Sequence, residues 1–272
     1  MKLHFIDTGY FYADGGAMFG AIPKTAWQRR YPCNKSNACI LAMRSALFVV
    51  DDRIILIDTG AGDKHLKQLS YYKFFDLKDL GEELQKLGYT CEQVTDVVLT
   101  HLHFDHCGYS TIKNKEDGKL SAAFPNAKYW VSRSQWDNFN HPNALEKDSY
   151  FTENMQAVAD AGLLHLLDTD TFIYPEIELR IYDGHTAGQL APYLQMPERT
   201  VVFAGDVIPL AASVSPEWIS AYDTNPVISY NEKIRMLDEA ASERQALVFC
   251  HDAYTKMALV KSVGNFFKPI AL

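Results

Sequence analysis

The 272-residue sequence has no long apolar run and no excess of basic residues. No stretch approaches the roughly 18 uninterrupted apolar residues that suggest a membrane-spanning helix, and the first residues lack the apolar core of a signal peptide. The 26 Lys and Arg residues stand against 34 Asp and Glu, a net charge of −8. Such a balance gives no electrostatic help for binding phosphate backbones or anionic lipids. The composition therefore predicts no nucleic-acid partner and no membrane partner.

Paired cysteines are also lacking. The five cysteines are odd in number and form no Cys-x-x-Cys pair. This usage is typical of reduced thiols rather than of a disulfide framework, and it predicts a cytoplasmic protein. The hydrophobic share of 47% is that of a globular chain with a sizeable buried core.

Short β-rich runs alternate with helical patterns along the chain. Strands are predicted at residues 2–7, 39–50, 53–58, 97–99, 128–131, 178–182, 191–195, 200–204 and 246–249. Helices are predicted at residues 79–87, 151–161 and 230–241. This order predicts the α/β class, as a four-layer αββα sandwich of two mixed sheets with outer helices. We expect one domain over 1–272, with two related halves that meet near 165–175 and a helical insertion at about 134–164.

Four potential metal ligands follow one predicted buried strand. After Asp96-Val97-Val98-Leu99-Thr100 the chain places four such side chains within six residues: His101, His103, Asp105 and His106. Alternate side chains of an extended segment lie on one face. Imidazole nitrogens and carboxylate oxygens are ligands that zinc-like ions prefer, and burying three imidazoles without a metal would cost desolvation. The run therefore predicts a metal site.

The His-x-His-x-Asp-His run with the glycine that follows it resembles the signature of the metallo-β-lactamase superfamily. Four further segments fit that family in the same order: Ile57-Asp58-Thr59-Gly60, Asp183-Gly184-His185-Thr186-Ala187-Gly188-Gln189, Val202-Phe203-Ala204-Gly205-Asp206 and Val248-Phe249-Cys250-His251. The resemblance covers most of the chain, and the order of its elements is that of the family's αββα sandwich.

The resemblance implies two divalent metal ions per chain. One ion is implied to be bound by His101, His103 and His185. The other is implied to be bound by Asp105, His106 and His251, with Asp206 bridging both. Zinc is the expected ion, and manganese, iron or cobalt also suit such ligands. We expect Asp58 to orient a ligand or the loop, and Cys107 and Cys250 to be small buried residues rather than ligands.

The resemblance also implies hydrolysis, by a hydroxide that bridges the two metal ions. Asp105 and Asp206 are the expected catalytic carboxylates, which guide the proton of the hydroxide and protonate the leaving group. The ligand set looks more like that of lactonases than that of thiolate-using β-lactamases. The expected substrate is a lactone or ester, with N-acyl-homoserine lactone as the leading candidate, although Pro209 replaces a tyrosine found in one lactonase subgroup. The alternatives are a phosphotriesterase or arylesterase, a glyoxalase-II-like thioesterase and, from another class, a non-hydrolytic metal redox protein.

Two apolar segments are candidates for a pocket that binds the apolar portion of a small-molecule substrate. Residues 14–27 resemble an N-terminal loop of the lactonase and organophosphate-hydrolase branches, which lies near the pocket mouth or at a dimer contact. A lid, a homodimer contact and plain packing therefore stay open for this loop. The insertion at 134–164 is rich in aromatic residues and is a candidate roof. The candidate pocket residues are Met18, Phe19, Trp27, Trp136 and Tyr222.

Overall fold

The structure is a computed structural model that describes residues 1–114, 116–264 and 266–272. It divides into two compact units. Unit 1 comprises Met1–Tyr10 and Met43–Asp168, and unit 2 comprises Phe11–Ala42 and Thr169–Leu272. The expectation of a single domain with halves meeting near 165–175 stays a prediction.

Unit 1 contains a six-stranded mixed sheet. In spatial order its strands are β1 (Lys2–Asp14), β2 (Ala38–Val50), β3 (Arg53–Ile57), β4 (Asp96–Val98), β7 (Lys128–Ser132) and β8 (Leu164–Leu167). The end of β1 and the beginning of β2 belong to unit 2. A separate hairpin pairs β5 (Thr111–Lys113) with β6 (Leu120–Ala122). The helices of unit 1 are α3 (Leu80–Lys86), α4 (Phe104–Cys107), α5 (Arg133–Asn140) and α6 (Gln156–Asp160).

Strands β3, β4, β7 and β8 are parallel. The last three residues of β3 and all of β4 are buried, as is typical of parallel strands, which are covered on both faces. The carboxyl ends of parallel neighbours lie at the same edge of a sheet, where α/β proteins place their sites. At this edge Asp58 follows β3, and Thr100 and the histidine loop follow β4. A backbone hydrogen bond of 2.9 Å from Asp58 N to Val98 O joins the two ends.

Unit 2 contains a seven-stranded mixed sheet. Its spatial order is β15 (Phe266–Ile270), β14 (Met257–Val263), β13 (Ala246–Val248), β12 (Thr200–Phe203), β11 (Gln189–Gln195), β10 (Ile177–Tyr182) and β9 (Thr171–Tyr174). Its helices are α1 (Gly15–Phe19), α2 (Lys24–Trp27) and α7 (Pro226–Glu243). Among the described residues of this sheet, β12 and β13 form the one parallel pair. Their carboxyl ends deliver Asp206 and His251 to one edge, and the β10–β11 connection carries His185.

The predicted α/β class with two mixed sheets is confirmed. Every predicted strand is present, and β1 runs further than predicted, to Asp14. The predicted helix at 151–161 is wrong as one element, because a 3-10 turn at Thr152–Asn154 precedes the short α6. The sequence patterns missed β5, β6, β8, β9, β14 and β15. All of these strands except β14 have five residues or fewer, and the last three residues of β14 are exposed. In β15, Pro269 is tolerated because the strand lies at the edge of its sheet.

All five cysteines are free thiols, as predicted. No helix among residues 1–114, 116–264 and 266–272 is long and apolar enough to cross a bilayer.

A fully buried lysine in α7 should make the stability of the fold depend on alkaline pH. Lys233 Nζ donates to Trp218 O at 2.6 Å, and burial lowers the pKa of Lys233 to about 8. Unfolding returns this pKa to about 10.4, so the unfolded chain binds more protons between these values and stability rises with pH there. The cost of burying the charged ammonium is fully present below about pH 8.

We therefore expect the free energy of unfolding of the wild type to rise relative to that of Lys233→Met as pH increases from neutral through this interval. Urea denaturation at a series of pH values measures the difference. Lys67→Met, at an exposed lysine, is the control and should run parallel to the wild type. Parallel curves for Lys233→Met as well would contradict the prediction.

Candidate metal centre

The four candidate ligands of the histidine loop lie together in unit 1. The ring of His101 lies 4.0 Å from that of His106 and 4.5 Å from that of His103, measured between centroids. His106 Nε2 lies 3.9 Å from Asp105 Oδ2. All three imidazoles are buried, and the short α4 turns the chain directly after His103. The loop thus brings three imidazoles and one carboxylate into a single cluster.

Asp58 and Thr100 fix the protonation of two of these imidazoles. Asp58 Oδ1 accepts from Thr100 N at 2.7 Å, and Oδ2 accepts from Thr100 Oγ1 at 2.9 Å and from His106 Nδ1 at 2.8 Å. Because the Thr100 hydroxyl donates to Asp58, its oxygen accepts from His101 Nδ1, 3.1 Å away. Both rings then carry their proton on Nδ1 and keep a lone pair on Nε2 for a metal ion.

His103 has the opposite arrangement. Its Nε2 lies 3.1 Å from Glu146 Oε2, and both side chains are buried. A carboxylate accepts only, so Nε2 carries the proton and Nδ1 keeps the lone pair. Glu146 was not among the residues predicted from the sequence.

Unit 2 holds three further candidate ligands, Asp206 and the two histidines beside it. The two oxygens of this carboxylate face different imidazoles: Oδ2 lies 3.3 Å from His185 Nε2, and Oδ1 lies 3.1 Å from His251 Nε2. The other ring nitrogens have acceptors, Asp223 Oδ1 at 2.9 Å from His185 Nδ1 and Ala42 O at 2.8 Å from His251 Nδ1. The Nε2 atoms of both histidines are again the nitrogens left for a metal ion.

Cys250 is buried beside this carboxylate. Its sulfur lies 3.2 Å from Asp206 Oδ1 and 3.3 Å from Gly205 O, and its one proton can be donated to either oxygen. Asp206, Cys250 and His251 offer ligand atoms within 4.8 Å of one another. The residue is buried as predicted, and it also contacts a candidate ligand, which the sequence did not indicate. Cys107 is fully buried, its thiol donates to Leu102 O at 3.2 Å, and burial raises its pKa.

The loop that carries His185 lies against α7. Glu232 accepts from Asp183 N at 2.8 Å and from Gly184 N at 2.9 Å, and Thr224 N donates to His185 O at 2.9 Å. A Cβ atom on Gly184 would lie 2.4 Å from Ser229 Cα, closer than any side chain can approach. Glycine is therefore required for the loop to reach α7.

We expect Gly184→Ala to lower the free energy of unfolding by about 1–3 kcal/mol, the usual cost of overpacking, and to weaken metal binding. The loop must retreat from α7, which moves His185 away from Asp223. Urea denaturation and metal titration measure the two effects. Gly162→Ala is the control, because a Cβ there meets nothing within 4 Å and only its positive φ of 70° opposes alanine. Unchanged metal affinity in Gly184→Ala would contradict the prediction.

The predicted pocket residues of the N-terminal segment are buried in unit 2. Met18, Phe19 and Trp27 are 4%, 0% and 1% exposed. Phe19 stacks on Trp27 with centroids 4.9 Å apart and contacts Trp218 edge-on at 5.7 Å. This burial favours packing over a lid for these side chains, and their pocket role stays a prediction.

The other two predicted pocket residues are more accessible. Trp136 is half-buried in α5, where its ring stacks on Phe139 at 5.4 Å. Tyr222 is 40% exposed and directly precedes Asp223, the partner of His185. Neither the charge of Asp223 nor that of Glu146 stands out in the sequence, because both lie in polar stretches without a motif.

Residues 42–111 match the family described as Metallo-beta-lactamase superfamily. This span begins in β2 and includes Asp58 and the whole histidine loop of unit 1. These residues thus have the sequence of a metallo-β-lactamase superfamily domain.

Solved structures and a curated relative agree with this assignment. A probable metal-dependent hydrolase from Staphylococcus aureus is 27% identical, with a TM-score of 0.91 over 100% of this chain and 96% of that chain. AidC, a dizinc quorum-quenching lactonase solved with a product N-hexanoyl-L-homoserine, is 19% identical, with a TM-score of 0.79 over 99% and 94% of the two chains. A probable metallo-hydrolase from Mycobacterium tuberculosis is 24% identical over 194 residues, 64% of this chain. The match spans 60% of the length of that curated relative.

The donors of the His and Asp clusters suit divalent metal ions, which members of the metallo-β-lactamase superfamily generally bind. Each of the five imidazoles has one nitrogen next to a hydrogen-bond partner, Thr100, Asp58, Glu146, Asp223 or Ala42. Metal-binding histidines characteristically make this second hydrogen bond, which fixes the tautomer and the ring orientation. The His and Asp clusters therefore have the chemistry of metal sites in both units.

Proposed function

We propose that the chain is a dinuclear metal-dependent hydrolase that cleaves a lactone or an ester. The observation that carries the proposal is the orientation of Asp206. Its two carboxylate oxygens face Nε2 atoms of two different histidines, so this carboxylate lies beside two imidazoles that are proposed to bind different ions.

The proposed ligands are the seven residues implied by the sequence: His101, His103, Asp105, His106, His185, Asp206 and His251. Support comes from the hydrogen bonds within each unit, which place the proton of each imidazole on one nitrogen and its lone pair on the other. Zinc is the proposed ion because nitrogen and oxygen donors of this kind suit it. Asp58, Glu146 and Asp223 would orient ligands without binding metal.

Divalent ions bound there would lower the pKa of a water molecule toward neutrality and polarise a carbonyl oxygen. The chain itself would supply the proton transfers. The carboxylates of Asp105 and Asp206 are 11% and 12% exposed, so both are partly open to solvent while the histidines are buried. We propose that these carboxylates accept the proton of the attacking water and return it to the leaving oxygen.

A lactone is the proposed substrate class. AidC, which shares the fold, is a lactonase whose structure contains the product N-hexanoyl-L-homoserine. N-acyl-homoserine lactones are therefore the first compounds to assay. Aryl esters, thioesters and phosphotriesters follow, since the same ligand chemistry can polarise their carbonyl or phosphoryl oxygens.

The test combines metal analysis with a substrate panel. We expect two metal ions per chain at saturation, loss of hydrolysis on chelation, and recovery when zinc is added back. His185→Ala should lose one ion and most activity, whereas His141→Ala, at an exposed histidine outside the clusters, should behave as the wild type. One ion per chain at saturation would overturn the dinuclear proposal. Hydrolysis of thioesters or phosphotriesters without any of lactones or esters would overturn the substrate class.

A further inference from the structure

Glu146 collects an unusual number of hydrogen-bond donors for a buried side chain. Its Oε1 accepts from Asn143 Nδ2 at 2.6 Å and from Asn138 Nδ2 at 2.8 Å. Its Oε2 accepts from Tyr150 Oη at 3.0 Å and lies 3.1 Å from His103 Nε2. Glu146 is only 4% exposed. Four donors around one buried carboxylate offset the cost of removing it from water.

The same segment also holds the backbone of the histidine loop. Gln135, which is fully buried in α5, accepts from Leu102 N at 3.1 Å. The Tyr150 hydroxyl lies 3.2 Å from Gln135 Oε1, so it links the group that holds Leu102 to the group that holds His103. The ring of Tyr150 lies 5.0 Å from that of His103. Residues 135–150 thus contact one turn of the loop through both its backbone and its side chain.

This contact sets His103 apart from the neighbouring histidines of unit 1. Asp58 and Thr100 hold the rings of His106 and His101 through Nδ1, whereas Glu146 holds His103 through Nε2. In a neutral imidazole the nitrogen without the proton is the one that can bind a metal ion. A ring held at Nε2 presents Nδ1 instead, which lies on the other side of the ring, closer to the backbone.

We propose that Glu146 is the positioning residue of His103: it fixes the Nε2–H tautomer and so selects Nδ1 as the metal-binding nitrogen. This role gives the helical insertion a function in the assembly of the metal site, in addition to packing. The metal-binding role of His103 rests on the proposed function. The tautomer of His103 can be measured without metal or substrate.

The direct test is nitrogen-15 NMR of the imidazoles in the metal-free protein at mildly alkaline pH, above the ordinary histidine pKa. The His103 signals are assigned by their loss in His103→Asn. We expect wild-type His103 to be the Nε2–H tautomer, and Glu146→Ala to give a mixture or the Nδ1–H form. The affinity for zinc or cobalt, measured by competition with a chromophoric chelator, should fall about 10–100-fold, the usual effect of losing such a partner.

Asn143→Ala is the matched control. It removes one donor to Oε1 but leaves the contact of Oε2 with His103, so the tautomer and metal affinity should stay as in the wild type. An Nδ1–H tautomer in the wild type would overturn the proposal, and this outcome needs no variant that might fail to fold. A folded Glu146→Ala with an unchanged tautomer would also overturn it. Failure to hydrolyse any substrate would count against the proposed function and leave the tautomer result standing.

Discussion

Replacing Asp206 by alanine should abolish hydrolysis and reduce the metal content below two ions per chain. The carboxylate is the group that the proposed ions share, since its oxygens lie 3.3 Å and 3.1 Å from Nε2 atoms of two histidines. Loss of a residue that hydrogen-bonds to a metal ligand lowers the metal affinity about 10–100-fold. Loss of a ligand shared by two ions should therefore lower it more than about 100-fold. We expect activity on lactones to fall to background at ordinary metal concentrations.

Metal analysis after gel filtration and a thermal shift on metal addition measure these effects. A metal ion at 100 times its dissociation constant stabilises the native state by about 2.7 kcal/mol, so addition of zinc should raise the melting temperature of the wild type and have little effect on Asp206→Ala. Asp238→Ala, at an exposed carboxylate of α7, controls for the loss of one negative charge. Two ions per chain together with activity within tenfold of the wild type would contradict the role of Asp206.

The ends of parallel strands made most candidate ligands predictable from the sequence. Strands β4, β12 and β13 are short and mostly apolar, and His101, Asp206 and His251 follow them within a few residues. Hydrophobic patterning determines where such strands end, so the ligand positions follow from local sequence. The prediction that Asp206 and His251 serve the same metal site as the histidine loop came from the order of the motifs rather than from periodicity.

The groups that orient the ligands could not be predicted in the same way. Asp223 lies 38 residues from His185, Glu146 lies 43 residues from His103, and Ala42 lies 209 residues from His251. Nothing local distinguishes these residues from other acidic side chains or from an ordinary strand carbonyl. Their roles depend on tertiary contacts that a single sequence does not encode as a pattern.

The role of the segment at 14–27 could not be predicted from its sequence either. Its glycines and aromatic residues are compatible with a lid, an interface or a core. The structure buries Phe19 against Trp27, Tyr31 and Trp218, and Tyr31 itself accepts from Ala253 N at 3.1 Å, two residues after His251. The residues that these side chains contact lie far along the chain. The composition of the segment therefore could not decide between a lid, an interface and a core.

Asp58→Asn should damage the site almost as severely as loss of a ligand, although it changes only one atom. Oδ1 must keep accepting from Thr100 N, at 2.7 Å, so the new amide nitrogen takes the place of Oδ2. That nitrogen donates, and it faces Thr100 Oγ1 and His106 Nδ1. His106 Nδ1 must then accept, which moves the ring proton to Nε2, the nitrogen proposed to bind metal. The Thr100 hydroxyl, no longer donating to residue 58, can donate to His101 Nδ1 and reverse that ring as well.

With two imidazoles in the wrong tautomer, we expect the metal affinity to fall by more than the roughly 10–100-fold cost of one lost partner, with activity falling in parallel. Chelator competition measures the affinity, and nitrogen-15 NMR of the metal-free protein reports both tautomers. Asp51→Asn is a close control, because Asp51 and Asp58 share the left-handed backbone conformation, with φ of 52° and 56°, and Asp51 is exposed in the β2–β3 turn. Asparagine tolerates this conformation, so both variants should fold. Wild-type metal affinity in Asp58→Asn would show that the Asp58–Thr100 pair does not control His101 and His106.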